Sequence, residues 1–162
     1  MRQLLFTLAL VPTLAIAAAP AGMEKVGSAS LNKLVFHVYD ATLYAPGGSY
    51  DPEKKHALEL TYQMDFTSKE IVDRSIDEIR HAQKISSEQE KQWREELGKV
   101  IPDVKDGDRI RATATPGKSI AFTHNDKATG TLTDKTLVEP FMNIWLGPKT
   151  NEPSMRKKLL GQ

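Results

Sequence analysis

Four histidines, four tyrosines, two tryptophans and no cysteine bound the chemistry open to this 162-residue chain. Without a thiol there is no cysteine nucleophile and no thiolate metal site. The histidines, at 37, 56, 81 and 124, fall in four separate stretches, and none has a His-x-x-x-His partner. No local zinc motif exists, and no metal is expected. The acidic turn Asp103-x-x-Asp106-Gly107-Asp108 lacks the alternating ligands and distal glutamate of a calcium loop, so it reads as a solvated turn. Asp77-Glu78 and Glu95-Glu96 belong to polar helix surfaces, whereas general acid–base work needs partly desolvated groups. Gly-x-Ser-x-Gly elbows and phosphate-cradling glycine loops are missing too. The motifs therefore point to no catalytic residue and no cofactor.

What remains is a set of amphipathic side chains on faces expected to point inward: His37, Tyr39, Tyr62 and Trp145. A few orienting polar groups in an otherwise apolar lining suit a small-molecule cavity. The competing reading is a packed core in which each hydroxyl or ring nitrogen finds a partner.

These residues need elements to position them. Asn32 to Tyr44 is rich in β-branched and aromatic residues and reads as one long strand, apolar on both faces. Pro46-Gly47-Gly48 breaks it. From Ala57 to Met64 a period of two marks a half-buried strand. Thr67 to Glu70 fits a capping box, with Val72, Ile76 and Ile79 on one stripe of the helix behind it. A second helix starts at Ser87-x-x-Glu90 and carries Trp93, Leu97 and Val100 until Pro102 ends it. Its many charges read as a solvated outer face. Two more strands follow Asp106-Gly107, with Arg109 and Arg111 on the polar side of the first. His124-Asn125-Asp126 is a hairpin turn. Asp134 to Leu146 is a third helix bent near Pro140, with Gly147 ending it, and a short last helix carries Met155 and Leu159. The order β-β-α-α-β-β-α-α predicts an α+β domain: an antiparallel sheet with helices packed on one face.

The start of the chain has a different character. Arg2 is the only charge before Glu24, and an apolar run spans Leu4 to Ala19. With Ala-x-Ala frames ending at Ala17 and Ala21, residues 1–21 are expected to be a cleavable secretory signal and residues 22–162 the domain. The expected address is periplasmic. Cysteine is absent, which excludes lipidation of the leader. Pro12 and Pro20 interrupt the run, which argues against a spanning anchor. The chain has 22 basic and 21 acidic residues, so it lacks the field that would gather nucleic acid.

Val26-Gly27, VFHVYDATLYAPGG (35–48), ALELTYQMDF (57–66) and the closing FMNIWLGPKTNEPSMRKKLLG (141–161) resemble the bacterial chalcone-isomerase-like proteins, over essentially all of residues 22–162. The resemblance implies an open-faced sandwich of antiparallel sheet and helices. Members close a flavanone ring without a cofactor or bind fatty acids in the sheet–helix cleft. Both groups use an arginine near the start of the strand corresponding to 32–44. Here Gly27 to Asn32 holds no arginine, and Lys33 is the nearest cation. A lysine lacks the planar two-pronged grip of a guanidinium, and ring closure needs positive charge where the phenolate forms. The expectation is a non-catalytic protein that holds a small apolar or amphipathic ligand such as a fatty acid, or acts as an interaction module. The alternatives are an intramolecular lyase of the isomerase type and a purely structural partner of another exported protein. Oligomeric state is left open.

Overall fold

The computed structural model describes residues 18–162; most of the expected leader lies outside the described residues. Six strands form one sheet in sequence order, every neighbouring pair antiparallel: β1 (Glu24–Lys33), β2 (Phe36–Ala45), β3 (His56–Tyr62), β4 (Arg109–Thr115), β5 (Ser119–His124) and β6 (Lys127–Leu132). Helices α1 (Ser68–Ala82) and α2 (Ser87–Val100) lie between β3 and β4, and α3 (Lys135–Leu146) and α4 (Pro153–Leu159) follow β6. This is the α+β arrangement the sequence predicts.

Two strands depart from the sequence reading. The single long strand expected over 32–44 is a hairpin: Lys33 pairs with Phe36, and the chain turns through Leu34 and Val35. Leu34 sits at φ 55°. No glycine, proline or asparagine marks that turn centre, so the apolar run reads straight through it. β1 itself is mostly small and polar residues, with Val26 and Leu31 half-buried and Ala29 its one buried position. It becomes a strand by pairing with β2. At the opposite edge β6 is equally featureless in sequence and is held by α2: the Thr129 hydroxyl donates to the Val100 carbonyl at 2.6 Å.

One face of the sheet carries Leu43, Leu58, Leu60, Ile110, Ile120 and Phe122, which pack on Ile76, Ile79, Trp93, Leu97, Leu137 and Phe141 of the helices. The helices form where their caps predict. Thr67 and Glu70 make the reciprocal box that starts α1. The α2 box is Ser86 with Gln89, one residue before the expected Ser87-x-x-Glu90. The charges of α2 are not all spent on solvent, since Arg94 spans Asp73 of α1 at 2.5 Å and Glu90 at 2.9 Å. Gly27 and the chain end, far apart in sequence, meet in space. A Cβ on Gly27 would stand 2.1 Å from the Lys158 carbonyl oxygen, so only glycine lets α4 lie this close to β1.

The face of the sheet away from the helices is only partly open. β3, expected to be half-buried, is covered on both sides. Met23 packs with Tyr44 and Ala57. Beside them Glu59 and Arg111 form an ion pair at 2.6 Å with 5% and 13% of their side chains exposed. Arg111 also donates to the Ala18 carbonyl at 2.9 Å. Arg109 and Arg111 therefore lie on the polar side of β4, as their alternation predicts, but Arg111 is far from solvated.

Candidate functional site

The sheet and helices do not close completely on one another. Between them lies a cleft of about 640 Å³, within the size range of small-molecule sites. Its floor is the apolar face of the sheet, notably Leu58, Leu60, Ile110 and Phe122. Its roof is Ile71 of α1 and Phe141, Ile144 and Trp145 of α3. Phe36 and Val38 of β2 wall the open end. Aromatic rings line it in edge-to-face contact: Tyr39 on Tyr62 with centroids 5.9 Å apart, Tyr62 on Phe66 at 5.8 Å, and Phe141 on Trp145 at 5.5 Å.

Three of the four residues singled out in the sequence meet in this cleft. Tyr39 comes from β2, Tyr62 from the paired position on β3, and Trp145 from α3. The Trp145 Nε1–H donates to the Tyr39 oxygen at 2.9 Å. Tyr39 thus keeps its own hydroxyl hydrogen to give. The Tyr62 hydroxyl makes no hydrogen bond among the described residues. Burial pushes the Tyr39 hydroxyl up to about 12, the Trp145 hydrogen bond partly opposing and Glu152 and Glu78 adding to the rise. Burial and then the neighbouring Tyr39 push Tyr62 up as well. Both phenols are protonated at neutral pH, so the interior offers two O–H donors and no charge.

His37 is not in the cleft, which corrects the sequence expectation. Simple alternation along β2 puts it on the face of Tyr39. A β-bulge intervenes: Leu31 pairs with Tyr39 and Asn32 with His37, leaving Val38 as the extra residue. The bulge turns His37 to the other face of the sheet. There its Nε2 lies 2.8 Å from Asp40, which also accepts from Ser30 at 2.5 Å and Gln63 at 3.2 Å.

The mouth of the cleft is charged, and its charges are spent on one another. Lys33 pairs with Glu152, and Arg74 with Glu78. Asn151 adds a donor to Glu78 at 2.6 Å. Glu70 also borders the cleft but is occupied in the α1 cap, 2.8 Å from the Thr67 amide. Among the described residues Lys33 and Arg74 are the only cations bordering the space; of β1, Leu31 also lines it, and Ala29 is buried in the core on the helix-facing side. The α1 residues Ile71, Arg74, Ser75 and Glu78 escaped the sequence reading. They form a stripe at helical spacing beside the core stripe Val72, Ile76 and Ile79; an isoleucine and a serine within a charged stripe was the available signal.

Other polar clusters hold the fold together. Asp108 accepts from Asn125 at 2.9 Å, from the Lys105 amide at 2.8 Å and lies 2.9 Å from His124, so one carboxylate braces an acidic turn whose Asp103, Asp106 and Gly107 are solvent-exposed, as the sequence predicts. Among the described residues no group of three or more histidines and carboxylates could hold a metal. No described helix is long and apolar enough to cross a membrane.

Comparison with known proteins bears on the same domain. A family model described as chalcone isomerase-like matches residues 24–161. An uncharacterized protein of Haemophilus influenzae is 27% identical over 147 residues, covering 90% of this chain and 72% of its own. The crystal structure of an Arabidopsis thaliana fatty-acid binding protein superposes with a TM-score of 0.66 at 12% identity, over 94% of this chain and 95% of that one. At that identity the likeness is one of fold.

Proposed function

Because this chain belongs to the chalcone isomerase-like family, we propose that it is a non-catalytic binding protein that carries a small, largely apolar ligand in the sheet–helix cleft. The observation that carries this reading is the cleft itself: about 640 Å³ of space walled by aliphatic and aromatic side chains, with two protonated phenols as its interior polar groups. The fatty-acid binding protein of the same fold supports it. The ligand's polar end is an uncharged oxygen acceptor such as an ester or ketone when it lies at the phenols. A carboxylate, as in a fatty acid, stays instead at the solvated mouth, where Lys33 and Arg74 can meet it by exchanging Glu152 and Glu78. A bare carboxylate at the phenols would be a desolvated charge without a counterion.

A lyase of the isomerase type is the weaker reading. Ring closure requires a stabilised phenolate, and the β1 residue inside the cleft is the apolar Leu31, with Lys33 at the mouth already paired to Glu152. Residues 1–21 as an export signal, with a periplasmic address, complete the proposal. A protein found in the cytoplasmic fraction with an intact Met1 end would overturn that part.

The test of the ligand reading is direct. Nile red, an uncharged dye with a ring carbonyl, should bind with a blue shift and a saturable isotherm, and Leu60→Trp should block it by filling the cleft. Native mass spectrometry should show a co-purifying small molecule. An isotherm unchanged by Leu60→Trp, together with a bare mass in repeated preparations, sinks the proposal.

A further inference from the structure

The β1–β2 hairpin ends in three consecutive apolar side chains that the fold does not use. Leu34 is 97% exposed, Val35 90% and Phe36 55%, and they are the exposed large hydrophobics among the described residues. Folding alone would choose otherwise here. Leu34 stands at φ 55°, in the left-handed region that glycine and asparagine adopt with less strain. An apolar residue retained at a strained, solvated turn points to a role outside the fold. Phe36 connects this tip to the cleft, being half-exposed on the outside while lining the cleft mouth.

We propose that the β1–β2 tip is a membrane-docking wedge, which seats Leu34 and Val35 in the interfacial layer of a lipid bilayer and sets the cleft mouth against the surface from which its ligand is drawn. The docking half stands on the tip alone; the ligand half rests on the binding reading of the cleft. The tip is a convex turn, which a bilayer accepts without a complementary pocket. A stable protein partner or second copy buries roughly 800 Å² on each side, far more than two or three side chains at a hairpin tip present. Interfacial insertion needs no such area: a single acyl chain already gives reversible binding of about 10⁴ M⁻¹, and a wedge of this size belongs to that weak, exchanging class. The neighbouring cation Lys33 is already paired with Glu152, and Asp40 is held by Ser30 and Gln63. Apolar burial rather than anionic lipid therefore drives the contact.

The experiment is co-sedimentation of the protein, as isolated from cells, with large vesicles of phosphatidylcholine, alone and mixed with phosphatidylglycerol. Leu34→Asn and the double variant Leu34→Asn/Val35→Ser are compared with the parent. Both residues are solvent-exposed and outside the cleft lining, so thermal stability should not fall and Nile red uptake should be unchanged. Partition of the parent should differ little between the two vesicle types, and the double variant should bind about tenfold more weakly or less. No partition of the parent, or equal partition of the double variant, overturns the docking proposal. So does a self-association in solution that the double variant abolishes, since the tip would then face a second copy. Failed Nile red uptake by the parent with vesicle binding intact overturns the ligand reading instead.

Discussion

Trp145 of α3 and Tyr39 of β2 are joined by a 2.9 Å hydrogen bond from the indole nitrogen to the phenol oxygen, across a sequence separation of 106 residues. The bond spans the cleft from roof to floor. It fixes the indole without using the phenol's hydrogen, so one contact both braces the cavity and leaves it a donor.

Replacing Trp145 by Phe keeps most of the ring and removes that donor. Loss of a net hydrogen bond should destabilise the protein by about 1 kcal/mol in urea unfolding. The Trp145 bond lowers the affinity of Tyr39 for its proton against the larger effect of burial. The Tyr39 titration, followed by phenolate absorbance, should therefore move further up in the variant. A downward movement would contradict the geometry.

Tyr62→Phe separates ligand binding from stability. Its hydroxyl bonds nothing among the described residues, so unfolding should change by less than about 0.5 kcal/mol. Nile red affinity should fall by about fivefold, the worth of one neutral hydrogen bond in a dry site. Equal losses in both measurements would mean that the hydroxyl serves the fold.

Acid should weaken the protein in two windows. Burial lowers the affinity of His56 for a proton from its ordinary 6.5, against the opposing hydrogen bond to the Lys54 carbonyl. The folded state then binds fewer protons than the unfolded one, so this stability is complete above about pH 6.5 and erodes as the pH falls below it. Among the described residues the Nε2 of His56 is buried without a partner, and it is the group a proton would charge. Asp108 is drawn down from 3.8 to about 2, first by the Asn125 side chain and then by the Lys105 amide and His124. Its contribution is present above pH 3.8 and is lost toward pH 2. His56→Gln should flatten the upper limb of a stability–pH curve and Asp108→Asn the lower one.

On the far face of the sheet, Arg111→Met should be severe. It leaves Glu59, with 5% of its side chain exposed, as an uncompensated buried charge, and removing one partner of such a pair costs about 3 kcal/mol or more. The double variant Arg111→Met/Glu59→Leu should recover most of that loss in the same urea titration. Failure to recover would mean that Arg111 acts through its second pairing, with Asp126 at 3.9 Å, rather than through Glu59.

Several features were legible because they are local. Capping boxes, the period of two along β3 and β4, and helical stripes depend on neighbours within a few residues, and the α+β class follows from their order. Tyr39, Tyr62 and Trp145 could be chosen by residue type and face before any contact was known. The family signature was legible too, although its reason was not: Gly27 and the 159–161 segment matter because they touch.

The tertiary structure decided what depends on partners distant in the chain. β1 and β6 have little strand character of their own and exist because β2 and β5 supply hydrogen bonds. The turn at Leu34 lacks turn residues, and the bulge at Val38 reverses the face of His37; a one-residue slip in a strand is invisible to alternation, yet it moves every side chain beyond it to the other face. The Lys33–Glu152 ion pair at the cleft mouth joins residues 119 apart in the sequence. Whether inward-facing aromatic residues fill a core or wall a cavity is a matter of how far apart sheet and helices stand. That spacing is a sum over all their contacts, and no segment of the sequence contains it.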